Sequence, residues 1–136
     1  MTTIAYCVKD GLIAVDSRET LGNTIISDKI NKIIKNEHGS FILCGKTADA
    51  VLFSEGGFAD DQEYDCGGLW VKPSGEVVGV YGNGNDLCPV EFNEAFGSGA
   101  SFALSAMDFG KGAKEAIKYA STRDCKTGGV IRTLKV

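Results

Sequence analysis

Short apolar runs separated by turns containing glycine follow one another along most of the chain. These runs are four to six residues long, which is typical of β-strands and short for helices. Lys9-Asp10-Gly11 and Pro73-Ser74-Gly75 lie between pairs of runs and predict two hairpin turns. The predicted strands are residues 3–8, 12–15, 24–27, 32–35, 41–44, 69–72, 76–81 and 130–134. The sequence predicts loops over residues 17–22 and 58–65 and a further turn over residues 82–86.

Three segments have helical rather than strand-like patterns. Residues 48–53 predict a short helix that ends before Gly56-Gly57. Residues 101–108 are rich in alanine, and residues 113–122 place Ala113, Ala116, Ile117 and Ala120 on one helical face. Strands, a short helix, more strands, two helices and a final strand predict an α+β fold with antiparallel sheets. Without a repeat or a linker, residues 1–136 are predicted to form a single domain.

Composition narrows the function. The chain has 136 residues, 43% of them hydrophobic, and a net charge of −4. An acidic chain without a basic patch is not expected to bind nucleic acid. No apolar run approaches the roughly 18 residues of a membrane span, and the N-terminus lacks the pattern of a secretory signal. Five scattered cysteines, an odd number without a CxxC pair, indicate reduced thiols and a cytoplasmic location.

Three local motif matches are incomplete. Gly45-Lys46-Thr47 matches the end of a phosphate-binding loop, but Ser40 occupies the position of that motif's first glycine. This stretch leaves nucleotide binding as an alternative function of the protein. In that case ATP–magnesium would raise the thermal stability of the protein. The acidic residues 60–65 lack the glycine and glutamate of a calcium loop. His38 is the single histidine, so a Ser-His-Asp or Cys-His system is excluded. No metal or cofactor is predicted.

Two threonines follow Met1 and lead directly into the first predicted strand. Removal of Met1 would make Thr2 the chain end. An N-terminal threonine carries both a nucleophilic hydroxyl and an α-amine with a pKa near ~7.7–8.0, which can accept the hydroxyl proton at neutral pH. Such a residue can hydrolyse amides without histidine, provided that other groups hold the amine and stabilise the oxyanion.

Several stretches resemble the proteasome β-type and HslV-like threonine peptidases of the N-terminal-nucleophile (Ntn) hydrolase superfamily. They appear in family order over nearly the whole chain: MTTI, AVDSRETLGNTI, DKINKI, LCGKTADA, AFGSGASFALSAM and RDCKTGG. The resemblance implies an αββα sandwich of two antiparallel sheets with one helical layer shortened. It also implies a threonine-type endopeptidase that acts on peptides or unfolded proteins through an acyl-enzyme.

The resemblance assigns a catalytic role to seven positions. Thr2 would be the nucleophile and its amine the base, and Lys32, held by Asp16, would lower the pKa of that amine. Gly45 would supply the oxyanion N–H group. Three polar residues would surround the threonine amine: Ser98, Asp124 and Thr127.

The resemblance also implies substrate-binding residues. Leu43 would form the floor of the pocket for the residue before the cleaved bond, which favours cleavage after apolar residues. Lys46 stands where the family has a small residue, usually glycine, and could narrow the cleft, bind acidic groups of the substrate, or point away from the cleft without effect.

The chain departs from the family between residue 48 and the Gly97-Ser98-Gly99 stretch. The family places two long helices there, whereas this segment has room for one short helix. A homo-oligomer, with a ring as one arrangement, is expected from the resemblance. Ring stacking and an ATPase unfoldase partner are left open. A structural subunit that assembles without catalysis is the alternative function.

Overall fold

A computed structural model describes all 136 residues of the chain. It contains eleven strands and three α-helices. The strands are β1 (Thr3–Cys7), β2 (Leu12–Val15), β3 (Glu19–Leu21), β4 (Thr24–Ser27), β5 (Ile33–Asn36), β6 (Gly39–Gly45), β7 (Cys66–Val71), β8 (Val77–Tyr81), β9 (Asp86–Pro89), β10 (Glu94–Gly97) and β11 (Arg132–Lys135). The helices are α1 (Thr47–Ser54), α2 (Ala100–Asp108) and α3 (Ala113–Ser121). None of these helices is long and apolar enough to span a membrane.

The chain divides into two units, and residues 1–32 with 92–136 form the first. Its main sheet has four antiparallel strands in the order β10, β1, β2, β11. The predicted Lys9-Asp10-Gly11 turn joins β1 to β2, with Gly11 donating its N–H to the Val8 carbonyl at 3.1 Å. All five residues of β1 are buried.

Helices α2 and α3 cover one face of this sheet. The face that α3 buries is the predicted one: Ala113, Ala116, Ile117 and Ala120 are all fully buried. They pack with alternate residues of β1 and β2 and with the inner residues of α2 in one apolar cluster. Because alternate residues of a strand lie on the same face, Thr3 belongs to the face of β1 that Ala5 and Cys7 bury in this cluster.

Residues 33–91 form the second unit. Its five antiparallel strands follow one another in chain order from β5 to β9. The eight-residue helix α1 packs on this sheet, and rings from both elements form an aromatic cluster around Phe41 and Trp70, stacked with centroids 5.3 Å apart. One short α-helix lies between β6 and β10, as the sequence predicts.

The α+β layout with antiparallel sheets is confirmed, but three local predictions are wrong. The predicted loop 17–22 contains β3, which pairs with β4 across the two residues Gly22-Asn23. A Gly-Asn pair is a hairpin signal, and the polar residues around it concealed the strand. The predicted turn 82–86 ends early because Asp86 begins β9, an exposed edge strand without an apolar run. Strand β10 was not predicted because it pairs with β1, distant in sequence.

Candidate active site

Thr2 lies immediately before β1 and is 8% exposed. The Ser98 N–H donates to the Thr2 carbonyl oxygen at 3.2 Å, so the Gly97-Ser98-Gly99 turn binds the backbone of Thr2 directly. Gly97 pairs with Thr3 across β10 and β1 and has a φ of +95°. A side chain on Gly97 would overlap the Thr2 carbonyl, so only glycine fits at this position.

Asp16 and Lys32 form an ion pair beside this chain end. The Lys32 Nζ lies 2.9 Å from Asp16 Oδ1, and the two side chains are 9% and 0% exposed. Asp16 Oδ1 also accepts the Thr3 N–H, and Asp16 Oδ2 accepts the Gly128 N–H, both at 3.1 Å. A buried carboxylate with a cation and two N–H donors is a fully hydrogen-bonded group, so Asp16 fixes the position of the Lys32 ammonium.

The ammonium of Lys32 uses its three donors on three oxygens. Besides Asp16, it donates to the Arg18 carbonyl at 2.6 Å and to the Met1 carbonyl at 2.8 Å. The Met1 oxygen and the Thr2 nitrogen belong to one peptide bond. From standard peptide dimensions, the ammonium therefore lies within about 5 Å of the Thr2 nitrogen.

Asp124 is the centre of a second polar group. Its Oδ2 accepts hydrogen bonds from the hydroxyls of Ser98 and Thr127, both at 2.6 Å. Its Oδ1 accepts the Lys126 N–H at 3.2 Å. Burial opposes ionisation of this carboxyl, but the hydrogen bonds from Ser98, Thr127 and Lys126 outweigh it and hold the pKa of Asp124 below its ordinary value. Asp124 is therefore ionised at neutral pH, so its carboxylate accepts hydrogen bonds and donates none.

The lowered pKa of Asp124 predicts a pH-dependent contribution to stability. Because the folded pKa is below the unfolded value, the ionised carboxylate stabilises the fold above pH ~4 and loses this effect as pH falls through the folded pKa. We expect Asp124→Asn to lower the free energy of unfolding by about 1 kcal/mol at neutral pH, a small value because solvent reaches the carboxylate. Thermal melts of both proteins should converge as pH falls below about 4. A gap in Tm that is constant with pH would contradict this assignment.

Arg18 joins the segment before Lys32 to the segment that contains Asp124. Its guanidinium binds Asp28 through two hydrogen bonds, at 2.8 and 3.1 Å, and donates to the Cys125 carbonyl at 2.9 Å. A Cβ on Gly128 would lie 2.5 Å from this guanidinium, so a side chain there would require the guanidinium to move. The Arg18 backbone is thereby fixed where its carbonyl accepts the Lys32 ammonium.

The other predicted site residues belong to the second unit. Gly45 ends β6 with a φ of +111°, and a side chain there would overlap the Asp65 carbonyl, so the position requires glycine. The Lys46 N–H donates to that carbonyl at 2.8 Å, and exposed Lys46 immediately precedes α1. Leu43 is 7% exposed and packs in the apolar cluster beneath α1. The roles assigned to Gly45, Leu43 and Lys46 stay predictions.

The first unit brings together six predicted residues from distant parts of the chain. Hydrogen bonds join them into two groups, one around Asp124 and one around Asp16, although their catalytic roles stay predictions. They are Thr2, Asp16, Lys32, Ser98, Asp124 and Thr127. Thr3 was missed as a site residue, yet it is fully buried and binds both Asp16 and Thr127. Its only sequence signal is a hydroxyl at the start of an otherwise apolar strand.

The structure has an HslV-like, proteasome β-type fold. BPH from Thiobacillus denitrificans matches 98% of this chain and 95% of its own, with 16% identity and a TM-score of 0.73. The same protein in complex with epoxomicin matches with 17% identity and a TM-score of 0.73, over 98% of this chain and 96% of that one. Eukaryotic HslV from Trypanosoma brucei matches with 20% identity and a TM-score of 0.72, covering 98% and 99% of the two chains.

The likeness to these proteins is one of fold. Neither protein-family models nor curated protein sequences give a match to this chain. At these identities the comparison shows a shared fold and assigns no chemistry to the site.

Proposed function

We propose that this chain is a threonine-type peptidase in which Thr2, freed by removal of Met1, is the nucleophile and its α-amine the base. One observation carries the proposal: the Lys32 ammonium, held by buried Asp16, donates to the carbonyl of the Met1–Thr2 bond at 2.8 Å. Loss of Met1 leaves one Lys32 donor free beside the new chain end. A fixed cation within about 5 Å of the amine favours its neutral, basic form.

The acylation step uses the groups that converge on Thr2. The Thr2 Oγ attacks the carbonyl carbon of the substrate, and its proton moves to the Thr2 nitrogen. The carbonyl π electrons move to oxygen, which becomes an oxyanion. The carbon–nitrogen bond of the substrate then breaks, and the leaving amine takes the proton from the Thr2 ammonium. An ester between the substrate acyl group and Thr2 remains.

Hydrolysis of the ester regenerates the enzyme. Water attacks the ester carbonyl while the Thr2 amine accepts its proton, and the same proton returns to Thr2 Oγ as the acid product leaves. In this proposal the Gly45 N–H stabilises the oxyanion in both steps. This role comes from the family resemblance, and the backbone at this position requires glycine because a side chain would overlap the Asp65 carbonyl.

The proposed substrate class is peptides and unfolded proteins, because a threonine hydroxyl with its own α-amine as base can cleave amide bonds without histidine. Leu43, as the pocket floor, favours an apolar residue before the cleaved bond. The proposal includes a homo-oligomer, which the fold it shares with HslV supports. It also includes a cytoplasmic location, which the five free cysteines support.

Intact-mass analysis with epoxomicin tests the nucleophile. This reagent offers a ketone to the Thr2 hydroxyl and an epoxide to the Thr2 amine, so a stable adduct needs a free N-terminal threonine. We expect native protein to lack Met1 and to gain the mass of one epoxomicin, with the modification on Thr2 by peptide mapping. A matched sample with Met1 retained should gain no mass.

Two outcomes would overturn the proposed function. Native protein without Met1 that forms no adduct would show that Thr2 is not activated. A chain that keeps Met1 and still assembles, as measured by light scattering, would support the alternative of a non-catalytic structural subunit.

A further inference from the structure

We infer that Thr3 is a positioning residue of this active site, joining its acidic group around Asp124 to its ion pair around Lys32. The inference rests on the proposed function because it concerns how Thr2 is held for the reaction. Thr3 is fully buried, and its hydroxyl and backbone make hydrogen bonds to three separate segments of the first unit. Nothing in the proposed chemistry requires Thr3 to touch the substrate.

The direction of the hydrogen bonds around Thr3 follows from the number of protons available. The hydroxyls of Thr3 and Thr127 lie 2.6 Å apart, and either could be the donor. Thr127 has one hydroxyl proton, and it donates that proton to the Asp124 carboxylate, which can only accept. Thr3 must therefore donate to Thr127, and its own oxygen accepts the Gly99 N–H at 2.9 Å.

The result is a chain of aligned hydrogen bonds that runs from the start of α2 to a carboxylate. Gly99 N–H donates to Thr3, Thr3 to Thr127 and Thr127 to Asp124. Aligned bonds in a buried environment polarise and strengthen one another. Breaking the chain at Thr3 would leave the Gly99 N–H without an acceptor and the Thr127 oxygen without its donor.

The close packing around Gly99 provides an independent observation. A side chain on Gly99 would lie 2.7 Å from the Thr3 hydroxyl oxygen and 2.9 Å from that of Thr127. These distances are too short for a carbon atom against oxygen. The second glycine of Gly97-Ser98-Gly99 is thus needed to bring α2 against the two hydroxyls.

The backbone of Thr3 binds the other half of the site. Its N–H donates to Asp16 Oδ1 at 3.1 Å, and its carbonyl accepts the Asp16 N–H at 3.3 Å. Asp16 Oδ1 is the same atom that holds the Lys32 ammonium. Because Thr2 is bonded to Thr3, fixing Thr3 at its side chain and backbone fixes the chain end that carries the nucleophile and base.

Thr3→Val tests this inference because it removes the hydroxyl and keeps the branched shape. We expect the rate of epoxomicin labelling and kcat for a peptide substrate to fall at least about 10-fold, since small displacements of reacting groups have large effects on rate. KM should change less than about twofold. Thr3→Ser, which keeps the hydroxyl, should recover most of the rate. Ile13→Val, a buried change in β2 outside this network, serves as a control for reduced stability alone.

A second variant makes the test independent of how well Thr3→Val folds. Thr127→Val breaks the same bond from its other side and should lower the labelling rate similarly. Both variants interrupt the same series of hydrogen bonds. The double variant should therefore be labelled no more slowly than the slower of the two single variants. Additive losses would overturn the inference.

The outcomes separate this inference from the proposed function. If epoxomicin labels wild-type protein and Thr3→Val at the same rate, the inference is overturned and the proposed function stands. Equal losses in Thr3→Val and Ile13→Val would also overturn it, because stability alone would then explain the effect. Wild-type protein that takes up no reagent would overturn both.

Discussion

Thr2→Ala should abolish peptide hydrolysis while leaving the fold intact. In the proposed reaction the Thr2 hydroxyl forms the covalent bond to the substrate, so its loss should lower kcat at least about 1,000-fold. The free energy of unfolding should change by less than about 1 kcal/mol, since the hydrogen bond from Ser98 uses the Thr2 backbone. Steady-state hydrolysis of a peptide with an apolar residue before the cleaved bond, together with urea unfolding, measures both quantities.

Two matched variants make the Thr2→Ala result specific. Thr2→Ser keeps a hydroxyl nucleophile and an α-amine and should retain measurable activity. Thr133→Ala removes an exposed hydroxyl from β11 of the same unit and should leave the rate unchanged. Wild-type activity in Thr2→Ala would exclude Thr2 as the nucleophile, whatever the effect of the other variants.

Replacing Lys32 should reduce both activity and stability. Lys32→Met keeps the length of the side chain and removes its charge, so the cation beside the Thr2 amine is lost. We expect kcat to fall by about 100-fold or more. We also expect the free energy of unfolding to fall by about 3 kcal/mol, because Asp16 is left as a buried carboxylate without its cation. Lys29→Met, an exposed lysine of the same segment, should change neither quantity.

A double variant separates these two effects of Lys32. In Lys32→Met with Asp16→Asn, residue 16 no longer carries a buried charge, and its amide oxygen can still accept one of the two N–H groups. Stability should recover by more than half, whereas activity should stay at the level of Lys32→Met. Recovery of activity along with stability would show that Lys32 acts only through folding.

The secondary structure was largely predictable because its signals are local. Alternating and continuous apolar runs, with turns at Lys9-Asp10-Gly11 and Pro73-Ser74-Gly75, predicted the hairpins of both units. The buried face of α3 followed from helical spacing alone. Strands β3, β9 and β10 were missed because short or exposed strands need few apolar residues. Their pairing partners, rather than their own residues, make them strands.

The candidate site could be predicted only through family resemblance. Singly, Asp16 and Lys32 are typical of ordinary surface charges, and Asp124 is typical of a residue that ends a helix. The resemblance singles them out because their motifs follow the order of the family's motifs. The structure shows that Asp16 is fully buried and that Lys32 lies beside it. The resemblance assigns no role to Thr3, whose place in the site follows only from its hydrogen bonds.

Local sequence patterns are sufficient to predict the α+β class, the short helix α1 and a candidate nucleophile at position 2. Which polar groups surround that threonine depends on the folding of distant segments against one another. Thr3 and Thr127 are 124 positions apart, and Asp16 and Gly128 are 112 apart. Periodicity and turn chemistry report on neighbours along the chain, whereas these contacts exist because β1, β2 and β11 pair side by side in one sheet.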